Sequence, residues 1–351
     1  MLFNIETDTG SQLTGYFVPD SFSAQPRITV RQRGTDLLTL EASEVRESLV
    51  VAGRHATGQC GFTIDETQIP GLADLEDLEL LDAETGVVIY RRRPTGTVLN
   101  LNLFRLETHL LPLWRLDDSL NYKFRHWYKG IDRYGRETST QVFCLNNCIS
   151  LYASGRLLYQ NYEFYLEKGL TTVALVRDPY DELAERLLLL NMIGDRGEQL
   201  LGARDALTFE ETIAYAAELQ TFEENELRRF FRRLPNSVMS TLSNPLVRQL
   251  TSNTPDQMPN LGSVATALDA LSCFKIVGLR SDVDHFLAAI ADLVGIEAAD
   301  LPAFDEYPRV GEVGEKLRKI RSIESLLEKD LELYHQTATA YAKISSHKGD
   351  S

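Results

Sequence analysis

The stretch Val173-Ala-Leu-Val-Arg-Asp-Pro-Tyr-Asp-Glu-Leu-Ala-Glu-Arg-Leu-Leu188 begins as an apolar run and, past Arg-Asp-Pro, becomes a charged helix. Thr171 to Val176 is continuous and β-rich, as in a strand covered on both faces of a parallel sheet. Pro179 suits a first helical turn, where its missing N–H is not needed, and Asp178 before it is a natural N-cap. The pattern predicts a strand running straight into a helix, with Arg177 at the strand's carboxyl end. In an open parallel sheet ligands gather at that end, and helix N-termini there present N–H groups to anions. A guanidinium so placed offers charge-assisted, bidentate hydrogen bonds to a phosphate. The competing expectation is an ion pair with Asp178, Asp181 or Glu182.

Working outward, strands alternate with helices from Thr97 onward. Val98 to Leu106 alternates apolar and polar residues as a strand does, and helical periodicity runs through 181–193, 209–233, 263–272, 281–294 and 314–343. This order predicts an α/β domain over 97–343, an open, mostly parallel sheet flanked by helices. Residues 1–93 read differently. Short runs at Ile28 to Val30, Leu37 to Leu40, Leu49 to Ala52 and Val87 to Tyr90 are separated by turn signals, which predicts a small all-β sandwich or barrel. Arg91-Arg-Arg-Pro-Thr-Gly96 reads as a linker between the two, and 344–351 as a frayed tail.

Composition narrows the function. The chain has 351 residues and a formal net charge of −15, which disfavours sequence-independent binding to nucleic acid or anionic membranes. The first residues lack a secretory leader pattern and no apolar run is long enough for a membrane span, so the expectation is a soluble, cytoplasmic protein. Cys60, Cys144, Cys148 and Cys273 are too scattered for a disulfide framework; they are expected as buried thiols, with no metal site.

Val176-Arg-Asp-Pro-Tyr180 and its helix resemble the 3′-phosphate-binding segment of sulfotransferases. Two further stretches resemble the carbohydrate, heparan 2-O type in order. They are Asn244-Pro-Leu-Val-Arg-Gln-Leu-Thr251 followed by Phe274-Lys-Ile-Val-Gly-Leu279, and Leu326-Leu-Glu-Lys-Asp-Leu-Glu-Leu-Tyr334. The resemblance implies a P-loop-like α/β fold and sulfuryl transfer from 3′-phosphoadenosine 5′-phosphosulfate to a hydroxyl of a bacterial polysaccharide or glycolipid. Arg177 would then hold the 3′-phosphate. Arg54 to Ile64, with Arg46, resembles a small β-domain attached to bacterial carbohydrate-active enzymes, which implies an accessory or protein-binding role.

The sequence departs from the family at the donor. The first strand runs into Glu107-Thr-His-Leu-Leu-Pro112, with no glycine where a phosphate-binding loop is expected, and Glu185 stands where family members tend to have serine. Ser150 to Arg156 is read as a small-residue turn whose Ser154, Gly155 and Arg156 could form an anion nest, or simply as a turn. His109 and Glu107 are the candidate bases for an acceptor hydroxyl, set against a structural role for a lone histidine. Phe124 to Tyr128 suits either a sugar platform or core packing, and Arg228 to Arg233 either an anion patch or intrahelical pairing with Glu223, Glu224 and Glu226. The alternative function is a non-catalytic sulfotransferase-like scaffold that binds a glycan or a protein.

Overall fold

The computed structural model describes residues 1–20, 26–93, 96–145, 149–194, 200–304 and 307–348, with side chains to Lys343. The chain divides into two compact units, Met1–Leu103 with Leu120–Ala153, and Phe104–Ser119 with Ser154–Ser351.

The first unit holds two four-stranded antiparallel sheets. One has the order β1 (Leu2–Asp8), β2 (Gln12–Val18), β6 (Gln59–Asp65), β5 (Glu44–Val45); the other has β4 (Thr35–Glu41), β3 (Arg27–Gln32), β7 (Leu78–Asp82), β8 (Val88–Arg91). Alternate residues such as Leu13, Phe62, Ile64, Ile28, Val30 and Leu80 are fully buried, as the period of two requires. One expected strand is a helix instead: Glu47–Val51 forms a single turn and a half that buries only Leu49. Gly61 has a packing reason, because a Cβ there would lie 2.3 Å from the Arg46 guanidinium. That guanidinium pairs with Glu6 and Glu44 and donates to the Gly15 carbonyl.

The third sheet is five-stranded and all parallel, in the order β10 (His126–Tyr128), β11 (Leu151–Gly155), β9 (Asn102–Leu106), β12 (Thr171–Val176), β13 (Ile276–Leu279). Helices flank it, which gives the α/β class. Strand β12 ends at Val176 and the helix Pro179–Ile193 follows, its Tyr180 N–H capped by the Asp178 carboxylate at 2.9 Å. Leu183, Leu187, Leu190 and Ile193 of that helix are buried in a core shared with Phe209, Leu227, Val313 and Leu317.

Three expected elements differ. The stretch read as a turn at Ser150 is strand β11, whose small side chains are buried rather than looped out. The helix expected over 209–233 is two, Ala203–Ala216 and Glu224–Arg232, and 314–343 is broken into Pro308–Arg318, Arg321–Leu326 and Glu328–Lys348. Cys60 is buried as expected, but Cys144 and Cys273 are exposed; Cys148 lies outside the described residues. Among the described residues no helix is long and apolar enough to cross a membrane.

Candidate functional site

Beyond the end of β9 the chain turns through residues 107–113, and one carboxylate organises that turn. Glu107 Oε1 accepts from the His109 N–H at 3.1 Å and Oε2 from the Leu113 N–H at 2.8 Å. Oε2 also accepts from Arg105 at 2.7 Å. Every partner is a donor, so the group is a carboxylate, although burial pushes its proton affinity up against the pull of Arg105 and the Leu113 N–H. Arg105 is held in turn by both oxygens of Asp117 at 2.9 Å, and the Ser154 hydroxyl donates to the same carboxylate at 2.9 Å. The loop backbone is fixed by Glu107 N–H to Gly155 at 3.0 Å and by the Gln249 amide to the Glu107 carbonyl at 2.7 Å.

The His109 and Leu113 N–H groups of this turn are thus directed at the chain's own Glu107. Ser154 and Gly155 serve that network from β11, and Arg156 lies beyond it, paired with Asp205.

His109 is 1% exposed. Burial, with Arg177, Arg280, Arg105 and Arg186 nearby, holds its proton affinity well below the ordinary histidine value, so the ring is neutral near neutral pH. Its Nδ1 lies 3.2 Å from the Thr108 hydroxyl and 3.5 Å from Glu182, and its Nε2 is buried without a hydrogen-bond partner. A neutral imidazole has the right protonation state for a base, but this one is buried.

Arg177 stands at the end of β12, as the sequence predicts. Its guanidinium lies 2.7 Å from Glu185 and 3.7 Å from Glu182, so Glu182 is one of its partners, as the competing expectation has it, and the shorter contact is to Glu185 one turn further along than Asp181. Burial raises the Glu185 carboxyl while Arg177 draws it down. Beside the pair lies a cavity of about 90 Å³ reached by Arg177, Asp178, Asp181, Glu185, Arg280 and Ser281. Its charged lining is two guanidinium groups against three carboxylates, and burial with the neighbouring Asp178 lifts Asp181 to about 6. Such a surface does not favour a phosphate.

The stretches that carry the resemblance also lock together. Asn244, in the left-handed region at φ 42°, accepts from the Lys329 and Asp330 N–H groups at 2.9 and 3.1 Å. Asp330 returns the favour to the Leu246 and Val247 N–H groups at 3.0 and 2.8 Å. Each residue thus caps the other's helix, Pro245–Thr251 and Glu328–Lys348. Neither is marked as a capping residue by the sequence analysis, and Asp117 is not marked there at all.

The remaining candidates fall elsewhere. In the first unit, Arg125 and His126 border a cavity of about 200 Å³ with Tyr90 and Asn100, and His126, lowered to about 4 by burial, stacks on Tyr128. Arg228 pairs with Glu224 at 2.7 Å along its own helix. The class defined so far is an α/β protein with a parallel five-stranded sheet, joined to antiparallel β sheets, with a charged site at the strand ends. Neither protein-family models nor curated proteins provide a match to this chain.

Proposed function

We propose that this protein is a non-catalytic binding scaffold of the P-loop-like, sulfotransferase type, in which the two donor-phosphate positions are taken by the protein's own carboxylates. The observation that carries the reading is Glu107 accepting the His109 and Leu113 N–H groups in the loop where a phosphosulfate would lie. Glu185 on Arg177 repeats the substitution at the 3′-phosphate position, on the residue where the family tends to have serine. The binding function falls to other surfaces, for a glycan or a protein.

Sulfuryl transfer from 3′-phosphoadenosine 5′-phosphosulfate is the second reading, supported by the place of Arg177 just past the carboxyl end of β12, although three carboxylates line the cavity beside it. In it Arg177 holds the donor and the neutral His109 takes the acceptor's proton. Calorimetry with adenosine 3′,5′-bisphosphate separates the two. The scaffold reading expects no binding of this probe that depends on Arg177; micromolar binding that Arg177→Ala abolishes would replace it with the enzymatic one.

A further inference from the structure

A second cavity, also about 90 Å³, shares no lining residue with the one beside Arg177, and its charge is of opposite sense. Its lining includes Arg156, Arg186, Arg204 and Arg248 against a single carboxylate, Asp205. The four guanidinium groups arrive from separate elements: the end of β11, and the helices Pro179–Ile193, Ala203–Ala216 and Pro245–Thr251. Asp205 is shared, accepting from Arg156 and lying 3.3 Å from Arg204. Arg186 is matched by Glu182 at 2.8 Å, from outside the cavity. Arg248 has its hydrogen bonds to carbonyl oxygens, those of Ser240 and Thr241, rather than to an acid. Among the described residues of this lining and its printed ion pairs, four cations from separate elements meet two acids, Asp205 and Glu182.

In a chain of net charge −15 that convergence needs a reason. We propose that this cavity is a binding site for a tetrahedral oxyanion, phosphate or sulfate, taken free or as a monoester. Planar guanidinium forks from several directions match the oxygens of such a group, and a polar cavity of this size accommodates it in place of a few waters. Burial and the repulsion of Arg186 and Arg156 reduce Arg248 to about 10, with Asp330 opposing; a bound anion would relieve that repulsion. Arg204, with 48% of its side chain exposed, marks the mouth. The site goes beyond the scaffold reading and stands whether or not the Glu107 loop is vestigial.

The test is titration of the whole protein with sodium sulfate, sodium phosphate and a short sulfated oligosaccharide at ionic strength held constant with chloride, read by calorimetry and by melting temperature. Saturable binding is expected for at least one probe, weakened about tenfold or more by Arg204→Glu and by Arg156→Gln. Arg232→Glu, an equal charge change on the exposed side of the helix Glu224–Arg232, should leave it unchanged. An oligosaccharide that binds more tightly than sulfate identifies a sugar ester as the source, and the reverse order identifies the free ion. No saturable response to any probe, or equal weakening by Arg232→Glu, overturns the proposal.

Discussion

At the scale of single residues, the turn 107–113 is held by Glu107 in a way that an amide cannot copy. Glu107→Gln would aim an NH₂ group at N–H donors, and the buried mismatch should cost about 2 to 4 kcal/mol in urea denaturation. Asp330 gives a pH-dependent prediction. Its carboxyl is fully buried and raised to about 6 from an ordinary 3.8, so its contribution is complete below about pH 4 and is lost as pH rises through 6. Against Asp330→Asn, the wild-type advantage should therefore shrink by roughly 3 kcal/mol between pH 4 and pH 7. A constant difference between the two proteins across that range would show that the Leu246 and Val247 N–H groups keep Asp330 ionised throughout.

At the scale of elements, β12 and the helix after it were legible because an apolar run, a cap and a proline coincide within ten residues. The strand β13, between the helices Ser263–Ser272 and Val283–Val294, lies in the stretch Phe274 to Leu279 that only the family resemblance singles out. Its Gly278 has a physical cause: a Cβ there would sit 2.5 Å from the Phe286 ring and 2.7 Å from its Cβ. Gly278→Ala should consequently destabilise the protein by about 1 to 3 kcal/mol in thermal or urea unfolding, and Phe286→Ala in the same chain should relieve part of the clash. Strand β11 was not legible, since Ala153, Ser154 and Gly155 are turn formers by composition, and only their burial beside β9 and β10 makes them a strand. The site was half legible. Arg177, Glu107 and His109 were marked by position, but the sign of their surroundings depends on Asp117, Glu182, Glu185 and Arg105, whose meeting is set by tertiary packing.

At the scale of the whole molecule, the expected boundary between residues 93 and 97 falls within the first compact unit, which also takes in Leu120–Ala153. That unit is tied internally. The Met1 ammonium meets Asp20 and donates to Thr138 at 2.8 Å, Gln141 donates to the Phe3 carbonyl at 3.0 Å, and Arg91 donates to Asn121 at 2.6 Å. A truncated chain starting at Thr97 should therefore lose near-ultraviolet circular dichroism and aggregate. A monomeric fragment with a sharp melting transition would show instead that residues 97–351 fold alone.

The Glu107 loop has a consequence of its own. A carboxylate anchored three bonds from the backbone competes for the loop's N–H groups at an effective concentration no dissolved phosphate matches, since it never diffuses away. Those N–H groups are therefore spoken for, and only a proton on the carboxylate or a rearranged backbone would release them.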